Sequence, residues 1–250
     1  MKAVFSIREI LQQLDQPFTG ESLFDHLPDI VFFIKNSLGQ YVVVNRTLVE
    51  RCGVRDKSQL LGRTAAEVLR PPLGERFEAQ DRKVLQTARP LLEQLELHIH
   101  PSHDIGWCLT SKLPLLNKEG MAIGLVGVSQ DLRLPDSSGE GYRYLLAAVS
   151  YAKKNLQNPP SIEELASIAG MSRFQLDRRM RHVFGLTTGQ WLLKLRIDSA
   201  QQLLTETDEP IAAIAQQAGY GDQSAFTRQF HQATGLSPRE YRKARNAKTP

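Results

Sequence analysis

The pattern of apolar and polar positions along this 250-residue chain changes character about half-way. In the first half two β-rich runs, DIVFFIK at 29–35 and QYVVV at 40–44, flank Asn36-Ser37-Leu38-Gly39, whose residue types favour a tight reversal. Helically spaced apolar residues follow over 47–52, 57–61, 65–69 and 73–87. Beyond Pro90 the period returns to two: Leu95, Leu97 and Ile99 alternate with Glu96, His98 and His100, as on a sheet with one face in solvent. Further strands are predicted over 107–116 and 122–132, joined by Asn117-Lys118-Glu119-Gly120. Two strands, several helices and three strands predict an α+β domain built on a five-stranded antiparallel sheet.

The second half carries helical spacing only, and it repeats itself. Ala169-Gly170-Met171-Ser172-Arg173-Phe174-Gln175-Leu176-Asp177-Arg178-Arg179-Met180, running on to Gly185, parallels Ala218-Gly219-Tyr220-Gly221-Asp222-Gln223-Ser224-Ala225-Phe226-Thr227-Arg228-Gln229-Phe230, running on to Gly235. Gly170 and Gly219 are 49 apart, whereas Leu176 and Phe226, Arg178 and Arg228, and Met180 and Phe230 are 50 apart. The second turn therefore holds one extra residue. Capping-box patterns at Ser161 to Glu164, Ser172 to Gln175 and Ser237 to Glu240, and a first-turn proline at Pro210, set helix starts near 162, 173, 210 and 238. A long helix over 188–205, with Trp191, Leu192, Leu195, Ala200, Leu203 and Leu204 on one face, connects the copies. Each copy reads as a helix, a glycine turn and a second helix, so an all-α double helix-turn-helix domain is expected.

Leu176, Met180 and Val183, and likewise Phe226, Phe230 and Ala233, form the face of each second helix that must turn inward. The N-terminal part of the opposite face is what such a helix offers to base edges. That reasoning selects Arg173, Phe174, Asp177 and Arg178 in the first copy, and Gln223, Ser224, Thr227 and Arg228 in the second. Arg179 falls near the buried side and is expected to reach out toward phosphate. Charge points the same way: the net charge of +4 is a net of +6 over 142–250 against −2 over 1–141. A basic excess confined to the half with the repeat fits attraction to a polyanion.

Over about 142–245 the sequence resembles the AraC/XylS family of transcription regulators. The resemblance rests on Ile162-Glu163-Glu164-Leu165-Ala166 with Gly170-Met171-Ser172, on Leu195-Arg196-Ile197-Asp198-Ser199-Ala200 with Leu203-Leu204, and on Ile211-Ala212-Ala213-Ile214-Ala215 with Ala218-Gly219-Tyr220. It closes with Phe226-Thr227-Arg228-Gln229-Phe230 and Gly235-Leu236-Ser237-Pro238-Arg239-Glu240-Tyr241-Arg242. It implies a seven-helix domain whose two recognition helices enter successive major-groove segments of double-stranded DNA. It also implies a DNA contact at the position of Arg178 and Arg228, and RNA polymerase as a further partner if the protein activates.

The first half resembles PAS domains over about 22–133. Leu27-Pro28-Asp29, Lys35-Asn36 with Gly39, Val44-Asn45, Gly62-Arg63-Thr64, Val84-Leu85 with Thr87 and Pro90, Trp107 with Ser111-Lys112 and Pro114-Leu115, and Gly124 with Val126-Gly127-Val128-Ser129-Gln130-Asp131 carry it. Such domains hold haem, flavin or metabolites, or only dimerise. Residues 47–92 contain no histidine to ligate haem, and Gly62-Arg63-Thr64-Ala65-Ala66-Glu67-Val68 lacks the cysteine of the photoactive flavin type, so no cofactor is expected. A small-molecule effector and a bare dimerisation module both remain open.

The expected organisation is an amphipathic helix over 1–21, a PAS-like sensor over 22–133, a Pro/Gly/Ser-rich linker over 134–141 and a DNA-binding domain over 142–250. The first helix, with Phe5, Ile7, Ile10, Leu11 and Leu14, would join Leu23 and Phe24 in a homodimer contact. His98, His100 and His103 could share a metal, though alternation with leucines explains the first two without one. Asn45 reads as a helix cap rather than a ligand contact. Cys52 and Cys108 read as small buried hydrophobes. No run of 18 apolar residues, paired carboxylates, phosphate loop or nucleophile with a base is present, so a cytoplasmic, non-enzymatic protein is expected.

Overall fold

The structure, a computed structural model, describes residues 11–15, 17–99, 105–132 and 144–246, with backbone alone for 98, 99, 105, 245 and 246. The expected helix around Phe5, Ile7 and Ile10, the 134–141 linker, His100, His103 and the side chain of His98 lie outside the described residues. By its own contacts the chain divides into two compact units, Met1–Leu92 with Thr110–Gln130, and Glu93–Leu109 with Asp131–Pro250.

The elements of the first half are α1 (Glu21–Phe24), β1 (Ile30–Asn36), β2 (Tyr41–Val44), α2 (Arg46–Arg51), a 3₁₀ turn (Lys57–Gln59), α3 (Ala65–Val68), α4 (Leu73–Thr87), β3 (Leu91–Ile99), β4 (Ile105–Leu116) and β5 (Ala122–Asp131). The strands form one five-stranded sheet in the order β2-β1-β5-β4-β3, with β1 antiparallel to both neighbours. The stretch predicted helical at 57–61 closes after a single 3₁₀ turn. Asp56 accepts from Ser58 N, and the Gln59 side chain accepts from the backbone N–H groups of Arg55 and Asp56.

Alternation along β1 puts Val31, Phe33 and Lys35 on one face, where Val31 and Phe33 pack with Val44, Leu48, Leu60, Val84 and Leu125. Gly127 on β5 makes room for this: a Cβ there would lie 2.3 Å from Phe33 Cζ. Asn45 is the cap it was expected to be. It is fully buried, its Oδ1 accepts from Leu48 N and Phe32 N, and its Nδ2 donates to the carbonyls of Phe24 and Ile30.

The second unit contains α5 (Leu146–Lys154), α6 (Ile162–Ile168), α7 (Arg173–Phe184), α8 (Thr188–Glu206), α9 (Ile211–Gln217), α10 (Gln223–Thr234) and α11 (Pro238–Asn246). Pro210 stands just outside α9 as its cap residue, with extended ψ of 142°, rather than within the first turn. One apolar cluster joins Leu165, Leu176, Met180, Trp191, Ile197, Leu204, Ile214, Phe226 and Phe230, and in the same unit Leu95, Leu97 and Trp107 belong to it. Glu96, between those leucines, is also fully buried, so this stretch of β3 is covered on both faces and the expected solvated face does not exist there. Within this unit the Trp107 indole N–H donates to Asp198 at 2.8 Å, and Arg181 pairs with Glu93 at 3.1 Å.

Candidate nucleic-acid interface

Two helix-turn-helix units are built the same way. In the first, α6 ends at a turn in which Gly170 N donates to Ser167 O and Met171 N to Ala166 O. In the second, Gly219 N donates to Gln216 O and Tyr220 N to Ala215 O, the same pattern at the end of α9. Gly170 and Gly219 both stand in the left-handed region, with φ of 63° and 76°. Gly219 has a second reason to lack a side chain, since a Cβ there would sit 2.2 Å from the Leu156 carbonyl oxygen.

The second helices are started by side chains. Ser172 accepts from Gln175 N while Gln175 Oε1 accepts from Ser172 N, a reciprocal box that opens α7. Asp222 accepts from Ala225 N at 2.7 Å and opens α10, a cap placed by the extra residue of the second turn. Thr187 and Gln190 form another box at the start of α8. Ser161 caps α6 through Glu164 N, but the Glu164 carboxylate accepts the Tyr151 hydroxyl at 2.7 Å instead of closing a box. That bond raises the Tyr151 pKa.

Leu176 and Met180 of α7, and Phe226, Phe230 and Ala233 of α10, are buried, and Val183 is half-buried. With those faces committed, Arg173, Phe174, Arg178, Gln223, Ser224 and Arg228 are exposed, and Thr227 is half-buried. Phe174 is 77% exposed, a large apolar ring held in water at the tip of α7. Arg173 pairs with Glu163 at 2.9 Å across exposed surface, a bond that competing phosphate could replace.

Asp177 and Arg179 behave differently from expectation, and Arg196 takes a role the sequence did not suggest. Asp177 accepts from both the backbone N–H and the hydroxyl of Thr188, so its carboxylate ties α7 to the start of α8 instead of facing outward. Arg179 is exposed, and its guanidinium lies 4.5 Å from the centre of the Tyr144 ring rather than along the buried side of α7. Arg196 on α8 reaches the second turn, donating to the carbonyls of Ala218 at 2.9 Å and Gly219 at 2.7 Å. Its acceptors, 22 and 23 positions on, leave no local sign in the sequence. Burial lowers the Arg196 pKa and raises that of Tyr220, against the opposing pull each exerts on the other.

Beside the start of α10 lies a cleft of about 430 Å³, lined in part by Gln223, Arg239, Arg242 and Lys243. Arg242 is held by the Glu209 carbonyl at 2.7 Å, whereas Arg239 and Lys243 are exposed. Arg239 and Arg242 stand in the closing motif of the sequence, but nothing there brought them, or Lys243 just beyond it, to this cleft.

The first unit holds a second cluster that sequence reasoning missed. Asp81 on α4 accepts from Lys35 on β1 and, at 2.5 Å, from Lys112 on β4. All three side chains are 1–2% exposed. Lys112 also donates to the Phe77 carbonyl at 3.3 Å, and the Lys35 ammonium lies 4.0 Å from the centre of the Tyr41 ring. Burial lowers the Lys35 pKa, opposed by the charge of Asp81, and burial raises that of Tyr41. The available signal was the period of β1, which sets Lys35 in line with Val31 and Phe33.

No group of three or more His, Cys, Asp or Glu among the described residues could hold a metal ion. Cys52 and Cys108 are both thiols. Cys108 is buried as expected, Cys52 is half-buried, and burial pushes the Cys52 thiol up to about 12. No helix among the described residues is long and apolar enough to cross a membrane.

Both halves of the chain have counterparts among known protein families. A family described as a helix-turn-helix domain matches residues 165–244, and one described as a PAS fold matches residues 24–134. The probable transcriptional regulator LumQ of Photobacterium leiognathi is 34% identical over 92 residues, which are 37% of this chain and 37% of that protein. A putative AraC-like transcription regulator of Streptomyces antibioticus is 33% identical over 97 residues, 39% of this chain and 32% of that one. The chain thus spans about a third of the length of these relatives. A solved structure of a Chromobacterium violaceum transcriptional regulator, described as containing an AraC-type DNA-binding domain, covers 43% of this chain and 96% of its own at 30% identity, with a TM-score of 0.40.

Proposed function

Because this chain carries an AraC-type helix-turn-helix domain and a PAS fold, we propose that it is a sequence-specific DNA-binding transcription regulator whose α7 and α10 read successive major-groove segments of one site. The observation that carries this reading is the doubled unit itself. Each copy buries the same face of its second helix and leaves an arginine, Arg178 or Arg228, exposed at the matching position. Arg173, Phe174, Gln223, Ser224 and Thr227 complete the base-facing set. Asp177, committed to Thr188, acts by holding α7 in place. Arg239 and Lys243 fall in the cleft next to Gln223, where cations take phosphate and so add affinity that does not depend on base sequence.

Control by a small molecule in the PAS fold is the second part of the reading, supported by the buried charged cluster of that fold. A PAS fold acting purely as a dimer contact is the alternative. It is favoured by one observation: Leu113, Leu115, Leu116, Met121 and Ile123, at the β4–β5 end of the sheet, are 37–61% exposed.

Selection of binding sites from random duplex DNA by the full chain tests the first part. The expected result is a consensus with two blocks about one helical turn, roughly 10 base pairs, apart within one protomer's site. Enrichment of a single short block, or of none, would count against two engaged helices. Sedimentation of the full chain and of Leu113→Asp/Leu115→Asp tests the alternative: a dimer that this pair of changes leaves intact would remove the exposed leucines from the contact.

A further inference from the structure

We infer that the PAS fold is a receptor for a small organic anion, whose carboxylate takes the hydrogen-bond donors that Lys35 and Lys112 do not spend on the protein. The inference rests on the reading that this fold senses a small molecule, and it names the class of that molecule.

The charges do not balance. Among the described residues, two ammonium groups and a single carboxylate lie together at 1–2% exposure, which leaves one buried positive charge over. A buried charge with no counter-charge costs several kcal/mol, so a site of this composition gains from taking up an anion. The donors do not balance either. An ammonium offers three N–H groups, so the two lysines have six. Among the described residues, the acceptors they meet are Asp81 Oδ1, Asp81 Oδ2 and the Phe77 carbonyl. A carboxylate supplies both the missing charge and the missing acceptors.

The surroundings favour an acid with a flat apolar body. The Lys35 ammonium lies 4.0 Å from the Tyr41 ring centre and 5.4 Å from that of Phe33, and the Lys112 ammonium lies 5.9 Å from Phe33 and 5.6 Å from Phe77. Three aromatic rings therefore wall the two cations. A cleft of about 340 Å³ between the β1–β2 turn and α4, lined by Gly39, Asp81, Leu85 and Gln86 among others, meets the cluster at Asp81. Glu78 and Arg82 also line it and pair with each other at 3.3 Å, so the rim adds no net charge. Asp81 is the member of the charged cluster that lines this cleft, and it is bonded to both lysines.

The test uses the full chain and three probes: benzoate, acetate, and benzamide, which matches benzoate in shape but carries no charge. Thermal unfolding in chloride buffer should show a midpoint that rises with benzoate concentration and, less steeply, with acetate, because a ligand of the folded state alone stabilises it by mass action. Benzamide should leave the midpoint where it is. Lys112→Met and Lys35→Met should each abolish the rise, and both should fold, since each removes an ammonium that has no carboxylate of its own. An equal rise with benzamide, a rise that survives in Lys112→Met, or no rise with either carboxylate at millimolar concentration would overturn the proposal. Should either variant fail to fold, ¹⁵N spectra of the lysine ammonium groups in the unaltered chain decide: benzoate must shift Lys35 and Lys112 signals, and unmoved signals would overturn it. Affinity for the selected DNA, measured with and without benzoate, separates the two readings. A raised midpoint with unchanged DNA affinity keeps the receptor and removes the control. A neutral compound that alters DNA affinity, where no carboxylate binds, does the reverse.

Discussion

The guanidinium of Arg196 lies 3.6 Å from the centre of the Tyr220 ring while donating to the carbonyls of Ala218 and Gly219. One side chain of the connecting helix thus caps the first helix of the second helix-turn-helix unit and clamps the turn that precedes α10. The ring stands in a chain of aromatic contacts, Tyr220 to Phe226 at 5.2 Å, Phe226 to Phe230 at 5.4 Å and Phe230 to Tyr241 at 5.4 Å, so the clamp reaches the core of the unit.

Arg196→Ala should therefore lower stability by about 1–3 kcal/mol, the cost of leaving two partly buried carbonyls without their charged donor. Lysine should restore little of it, because it cannot donate to both carbonyls from one planar fork. Urea denaturation of the three proteins measures this, and a fully stable Lys variant would show that charge alone suffices.

Arg178→Ala and Arg228→Ala should each weaken specific binding by about 1–3 kcal/mol, with the loss concentrated at different bases of the site. Arg239→Ala and Lys243→Ala should weaken binding to all sequences alike and reduce the salt slope by about 1 each. Titrations on matched and scrambled duplexes at several salt concentrations distinguish the two classes. An arginine of the first pair that lowered affinity for scrambled DNA just as much would belong with the second.

For Asp177 the structure directs a different outcome from that of a base reader. Asp177→Ala should cost about 1 kcal/mol of stability through loss of the cap on Thr188 N–H, and leave the base preference of the first block unchanged. A changed consensus with unchanged stability would return Asp177 to the DNA.

Removing the carboxylate at the centre of the buried cluster should be severe. Asp81→Asn leaves two buried ammonium groups facing each other and should cost about 3–5 kcal/mol, whereas Lys112→Met removes the uncompensated charge and should be neutral or stabilising. Calorimetric melting of both variants tests the opposite signs.

The Cys52 thiol, pushed up to about 12 by burial, stays protonated near neutral pH and should react slowly. Thiolate, the reactive form, grows only as pH approaches that value. Ellman titration of the native chain at pH 8 should show slow release, with both thiols titrating at once in denaturant; rapid native reaction of Cys52 would contradict its burial.

Much of this was determined by the sequence alone, because the rules involved act over a few residues. Period two in 29–35 and 122–132, period 3.6 in the second half, caps at Ser172 and Ser237, and turn glycines at 170 and 219 each depend on neighbours within a helical turn or a strand pair. The repeat at intervals of 49 and 50 needed only comparison of the chain with itself. Tertiary structure decided the rest. Arg196 finds its acceptors 22 and 23 positions away, Asp177 finds Thr188 after 11, and Asp81 gathers lysines 46 positions before it and 31 after. Glu96 reads as solvent-facing by alternation, yet it is fully buried. Alternation assigns a residue to a face of a strand, and only the topology of the sheet and the helices packed on it settles whether that face meets water, a carboxylate or another ring.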